Sequence, residues 1–300
     1  MPDETSSSDG AEQAPDSPSE AYSSRDLLRG PDPLTAEEAS PLLARGPGRV
    51  VVWAGERGSG KTTLTAELYE RHRLGTAATG FVSSRTLLGF EERMHPARAD
   101  SGRIVPHTTR TEADPEGRDL LHLEVEPPDT HLLFADLPGE SFRAIRDNEI
   151  SPDQVPYLAQ ADKVAILVDG ALLADLGERS FAINTTRQLI ERLSGGSVSF
   201  ANAHVCLVLT KLDELQAAGD SAVRYWDERE ADILAAMECI CAGSECLRTA
   251  ARGKADEDGM EALMEWLLQP PPDTPEPALP AQAEPAARML RLRSPKGLSQ

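Results

Sequence analysis

Three hundred residues, 40% of them apolar, suffice for one large domain or two small ones. Thirty basic against fifty acidic side chains leave a net charge of -20, which argues against an extended electrostatic grip on nucleic acid or on an anionic membrane surface. The start MPDETSSSDG has no basic and apolar leader, no run approaches the roughly 18 apolar residues of a membrane span, and the four cysteines form no CxxC pair. These features predict a cytoplasmic protein without a disulfide framework or a zinc ribbon.

From residue 1 to 47 the chain is rich in Ser, Pro and Ala, with ten acidic residues against three arginines. Such a segment buries too little apolar surface to offset its ordering entropy and reads as a disordered acidic tail. Within it, Thr35 followed three residues later by Glu38 has capping-box spacing, compatible with a short helix over Thr35 to Ala44. Residues 48–269 then alternate apolar runs with helical patterns. Strands are predicted at Arg49 to Ala54, Leu120 to Glu126, His131 to Ala135, Lys163 to Asp169 and Val205 to Thr210, and helices at Gly60 to Leu74, Glu178 to Leu193, Ala222 to Met237 and Met260 to Leu268. Several strands are continuous apolar runs, as expected of strands buried on both faces of a parallel sheet. The predicted fold class is a three-layer α/β domain with a mostly parallel sheet and disordered N- and C-terminal tails. Leu120 to Ala135 departs from the βα alternation and reads as an antiparallel edge hairpin turning near PPDT. Residues 75–111 form a long insertion, with five arginines between Gly75 and Arg110, that is either a positive lid or a surface excursion. Residues 270–300 are proline-rich and end in RMLRLRSPK, an extended tail with a solvated basic end.

The chemistry is concentrated at strand ends. After the first strand stands Gly55-Glu56-Arg57-Gly58-Ser59-Gly60-Lys61-Thr62, matching G-x-x-x-x-G-K-[ST], with Thr63 next in line. Glycines let backbone amides wrap a polyphosphate, Lys61 neutralises its outer phosphates, and the Thr62 hydroxyl suits Mg²⁺. The strand HLLFA runs into Asp136-Leu137-Pro138-Gly139-Glu140, where Asp136 can hold the metal and the Gly139 amide can sense a γ-phosphate. A further metal-facing threonine is sought in PHTTRTEAD, with Thr109 and Thr111 preferred over Thr108. After VCLVLT come Thr210-Lys211-Leu212-Asp213. A carboxylate at Asp213 accepts both N1–H and the exocyclic amine of guanine, a donor pair that adenine lacks, while Lys211 covers the ring. Two of the five lysines in the chain, Lys61 and Lys211, stand in these motifs.

With the three motifs in this order, the chain resembles a Ras-like GTPase of the translation-factor-related (TRAFAC) class from about Arg49 to Leu268. More narrowly it is similar to the bacterial double-GTPase type, through GKTTLTAELYERHRLG, SSRTLLGFEERMHPAR, FADLPGESFRAIRDNE and ADKVAILVDGALL. The resemblance implies a molecular switch that binds GTP and GDP with Mg²⁺ and hydrolyses GTP slowly, with Lys61, Gly139 and Glu140 serving the reaction. It implies a last base contact from a backbone amide near Thr249-Ala250-Ala251, with Ala250 the candidate. It also implies service in a bacterial multi-gene system of the conflict or defence kind, with a protein partner that can be a second GTPase. Two positions depart from the Ras pattern. Arg57 stands where Ras has a small glycine, and either lies over the phosphates or points to solvent. Glu140 stands where Ras has a glutamine, and its charge needs compensation from Arg143, Arg146 or Arg57. The alternatives to a GTPase are a GTP-binding scaffold without turnover and a P-loop ATPase. His72, His95, His122 and His131 have no ligand spacing, and Cys239 and Cys241 read as buried thiols.

Overall fold

The computed structural model describes residues 33–94, 119–126, 129–251 and 259–270. Among the described residues, seven strands form one sheet in the order β2-β3-β4-β1-β5-β6-β7. They are β1 (Gly48–Ala54), β2 (Gly80–Ser83), β3 (Leu120–Glu126), β4 (Thr130–Ala135), β5 (Lys163–Asp169), β6 (His204–Thr210) and β7 (Cys246–Arg248). The five strands β4, β1, β5, β6 and β7 are mutually parallel, whereas β3 pairs antiparallel with both β4 and β2. The expected hairpin is present, and β2 extends the sheet one strand beyond it.

The period of two along each strand divides the core into two layers. Val50, Val52 and Ala54 of β1 face one cluster, together with Val164, Ile166 and Val168 of β5. Val51 and Trp53 face the other, together with Ala165 and Leu167. The first layer is covered by α1 (Ala36–Arg45), α4 (Gly139–Arg146), α5 (Gly170–Ala174), α6 (Arg179–Ser194), α7 (Leu212–Ala217) and α8 (Asp220–Met237). The second is covered by α2 (Lys61–Leu74), α3 (Leu87–Met94) and α9 (Met260–Leu268). On α6 the buried Ala182, Thr186, Leu189 and Leu193 recur at helical spacing and make its inner stripe.

Two expectations are corrected here. The disordered acidic tail does not extend through residues 33–47. There the Thr35–Glu38 capping box forms, α1 buries Ala39, Leu42 and Leu43, and Leu34 exchanges backbone hydrogen bonds of 2.8 and 3.1 Å with Leu120. The capping-box spacing of Thr35 and Glu38 signals this helix, whereas the composition of the segment as a whole does not. The cysteines 239 and 241 are not buried thiols: Cys239 is exposed and Cys241 half-buried, beyond the last buried residue of α8.

The insertion contributes β2 and α3, which pack on the outer edge of the sheet, where Phe90 stacks on Tyr69 at 4.6 Å. At the opposite end of the strands from their C-terminal edge, the fully buried Lys163 donates to the Trp266 carbonyl at 2.6 Å and lies 2.7 Å from His204 Nδ1. These bonds tie α9 to the sheet. Burial pulls the Lys163 ammonium down to about 7, with the Arg49 charge adding to the shift. Among the described residues no helix is long and apolar enough to cross a membrane.

Candidate functional site

Because β4, β1, β5, β6 and β7 run in one direction, the segments that follow them meet along one edge of the sheet. The chain leaves β1 toward α2 on one face and leaves β5 toward α6 on the other. The crevice between β1 and β5 is therefore the topological switch point, where open α/β sheets bind ligands.

Residues 55–60 turn there. Gly58 and Gly60 have φ values of 84° and 97°, a left-handed backbone that a side chain would strain. Such turns point successive amides inward as an anion nest. Lys61 opens α2, with Thr62 and Thr63 half-buried in its first turn. The ammonium of Lys61 donates to the Gly55 and Glu56 carbonyls at 2.8 and 3.0 Å. Burial pulls it down to about 8, opposed by the carboxylates of Asp136, Glu140 and Glu56. A half-buried ammonium held by two carbonyls keeps one N–H for an anion. The Glu56 carbonyl also accepts from the Ser59 amide at 3.2 Å and the Ser59 hydroxyl at 2.8 Å, which fixes the turn. Ser59 itself is buried, whereas Arg57 is exposed.

Beyond β4, Asp136 and Glu140 both act on Lys61 through space, and Leu137 is buried in the core. Gly139 begins α4 in direct contact with the phosphate loop. A Cβ at this position would collide with the Arg57 amide nitrogen and the Glu56 carbonyl carbon, so no larger residue fits without moving backbone. The close approach places the Gly139 turn against the loop residue whose carbonyl holds Lys61. The oxygen donors of Thr62 and Asp136 suit a hard divalent cation, and among the described residues there is no group of three or more His, Cys, Asp or Glu side chains that could hold a metal ion. That chemistry fits Mg²⁺ held by a few protein oxygens and completed by phosphate, not a cage made of protein alone. Thr109 and Thr111, like Thr108, lie outside the described residues.

The base-reading candidates meet across β5, β6 and β7. Thr210 is buried, and its hydroxyl donates to the Ser59 carbonyl at 2.9 Å and lies 3.2 Å from the Val168 carbonyl. It therefore fastens the end of β6 to the phosphate loop. Lys211 has φ of 52°, an uncommon conformation for a residue with a side chain. Its ammonium pairs with Asp169 at 2.8 Å, and the other oxygen of Asp169 accepts from the Ala171 amide at 2.9 Å. Asp213 lies in the first turn of α7. Leu212 donates its amide to the Thr249 carbonyl at 3.0 Å, and Thr249 donates to the Leu209 carbonyl at 2.7 Å. Thr249 and Ala250 are thus seated, both buried, beside the Thr210 to Asp213 turn.

Three features were missed by motif reading. Asp169 was only the end of a strand, although its register partner on β6 is Thr210, next to Lys211. Thr210 was expected near the base, but its bond to the phosphate loop was not foreseen. Glu56, an unconstrained position of the loop, ion-pairs with Arg146 of α4.

No curated protein matches the chain. Among solved structures, a bacterial selenocysteine-specific elongation factor EF-Sec is 18% identical with a TM-score of 0.39, over 73% of this chain and 28% of that one. The elongation factor SelB from Methanococcus maripaludis, in complex with the GTP analogue GppNHp, is 16% identical with a TM-score of 0.39, over 74% and 34%. The S. cerevisiae Ski7 GTPase-like domain, bound to GTP, is 12% identical with a TM-score of 0.43, over 70% and 44%. The chain therefore spans less than half the length of each. The family model for Double-GTPase 2 matches residues 49–267. That span runs from the first core strand into the last helix and contains all three motifs, and the chain belongs to the Double-GTPase 2 family of GTP-binding proteins.

Proposed function

We propose that the protein binds GTP with Mg²⁺ across the C-terminal edge of its sheet, hydrolyses it to GDP and phosphate, and works as a molecular switch with a protein partner. The observation that carries this reading is the seating of Gly139 on the Glu56–Arg57 backbone beside Lys61. It brings a mobile-type turn, D-x-x-G, to the end of the phosphate loop where a γ-phosphate would lie.

In this reading the amides of residues 56–62 and Lys61 take the phosphates. Thr62 and Asp136 would hold Mg²⁺, which when bound supplies positive charge to the phosphate oxygens. Asp213 accepts from the guanine edge, with Lys211 over the ring and Ala250 offering its amide. Thr109 and Thr111 are the candidates for a further metal-facing hydroxyl. Glu140 orients the attacking water, and the nearby ammonium of Lys61 offsets its charge. Phosphate release then removes the γ-phosphate contact of Gly139, one of the contacts that hold α4 against the loop. In this reading turnover without an activator is slow. A second GTPase is the proposed partner, and the cytoplasm the proposed location.

The test is titration of the nucleotide-free protein with GDP, GTP and ATP, with and without Mg²⁺, followed by single-turnover phosphate release. GTP preferred over ATP, with that preference lost in Asp213→Asn, supports base reading by Asp213. Phosphate release slowed by Glu140→Gln supports the hydrolytic role. Tight GTP binding with no release in any variant would establish a scaffold instead, and equal competition by ATP would overturn the guanine assignment.

A further inference from the structure

One guanidinium joins three elements around the phosphate loop. Arg146 ends α4, the helix that Gly139 begins. Its side chain is only 10% exposed and ion-pairs with Glu56 of the loop. Its Nε and Nη2 donate to the Asp147 carboxylate at 2.8 and 3.2 Å. Its guanidinium carbon lies 5.9 Å from the centre of the Phe181 ring on α6. Arg143 Nε stands 3.5 Å from the same Asp147, so the end of α4 carries two cations and one shared carboxylate.

The helix is consequently fastened to the phosphate loop at both ends. At its start, Gly139 rests on the backbone of Glu56 and Arg57. At its finish, Arg146 holds the side chain of that same Glu56. A helix of eight residues is about 12 Å long. Pinned at both ends, it cannot tilt or slide without giving up one contact. The carbonyl of Glu56 meanwhile accepts from Lys61 and Ser59, so the residue that Arg146 grips also shapes the turn that would receive the phosphates. The pair is sheltered on one side only, with Glu56 31% exposed, and Arg146 keeps its bonds to Asp147 if Glu56 is lost, so what the pair adds is the tie between α4 and the loop.

We propose that the Glu56–Arg146 pair is a positioning device that sets Gly139 and Glu140 against the γ-phosphate, so that preference for GTP over GDP depends on it. The inference rests on the GTP-binding reading above. Neither side chain needs to touch the nucleotide. GDP, which lacks the γ-phosphate, draws on the phosphate loop and the base-reading turn alone and does not need α4 held in place.

The test uses the full chain with GDP and with the non-hydrolysable analogue GppNHp, both with Mg²⁺. The variants are Glu56→Gln, Arg146→Gln and the exchanged pair Glu56→Arg with Arg146→Glu. Arg146→Gln, which lies outside the phosphate loop, is expected to weaken GppNHp by roughly tenfold, as for a partly buried ion pair, while GDP affinity stays within about twofold; Glu56→Gln, in the loop itself, is expected to weaken GppNHp more than it weakens GDP. The exchanged pair is expected to recover most of the loss. Should it fail to fold, Arg146→Gln still decides. An unchanged GppNHp-to-GDP ratio in the single variants, or equal weakening of both nucleotides, overturns the proposal. If the unaltered protein binds neither nucleotide, the reading of the site itself fails, a result distinct from binding with an indifferent ratio.

Discussion

The bond from Thr210 to the phosphate loop can be tested with a single isosteric exchange, Thr210→Val. The side chain is buried, and its one hydroxyl proton serves the Ser59 carbonyl at 2.9 Å, with the Val168 carbonyl 3.2 Å away. Valine preserves the volume and leaves both carbonyls without this donor. Losing a buried hydrogen bond of this kind costs about 1–2 kcal/mol. For a domain of this size that is a fall in Tm of about 3–6 °C. Because Ser59 is in the phosphate loop and Lys211 follows Thr210 directly, the same exchange should lower affinity for GDP and GTP together. Differential scanning calorimetry and fluorescence titration with a labelled guanine nucleotide give the two quantities. Thr210→Ser is the control: it keeps the hydroxyl and loses only a methyl group, so its nucleotide affinity should remain near that of the unaltered protein. A Thr210→Val variant with unchanged Tm and affinity would refute the idea that this hydroxyl couples base-reading turn to phosphate loop.

Gly139→Ala forces a Cβ onto the Glu56–Arg57 backbone; overpacking of this kind costs about 1–3 kcal/mol, so GppNHp titrations should show weakened binding with GDP affinity retained, and equal loss of both would contradict it. Asp169→Asn keeps an oxygen for the Ala171 amide but removes the charge that holds Lys211. It should weaken GTP and GDP by the same factor, about 3–10-fold, as measured by competition titration. A pH titration of stability should expose His122, which burial drives from 6.5 down to about 3, with the charges of His131 and Arg85 adding to the shift. Its Nδ1 accepts from the Arg85 amide at 3.0 Å, so Nε2 donates to His131 Nδ1 at 3.1 Å and the folded state needs the neutral ring. The unfolded chain binds the proton more readily, so this contribution is complete above pH 6.5 and is lost as pH falls toward 3. The loss is about 2 kcal/mol by pH 5, and urea melts of His122→Gln should lack that part of the acid slope.

Much of this protein could be read directly along the chain. The loop Gly55 to Thr62, the turn Asp136 to Gly139 and the run Thr210 to Asp213 are each contiguous, since a phosphate nest, a strand-end carboxylate and a base-reading turn each need neighbouring backbone. Strands such as Lys163–Asp169 announced themselves by unbroken apolar runs, because both faces of a central parallel strand are buried. Elements whose stability comes from distant partners gave little local signal. The three-residue β7 exists through its ladder to β6 and through Arg248 bonded to Glu230 at 2.6 Å, whereas α1 carried a local signal in the Thr35–Glu38 capping box and lacked only a sign of what its leucines would cover. Strand register alone set Asp169 beside Lys211, and the packing of α4 alone set Arg146 against Glu56. Charge pairs have no fixed spacing, so only the folded chain could choose these partners. The sequence by itself determined which chemical groups the protein carries; the tertiary structure decided which of them share a carboxylate, a carbonyl or a backbone contact, because those pairings depend on distances that form only when the sheet closes.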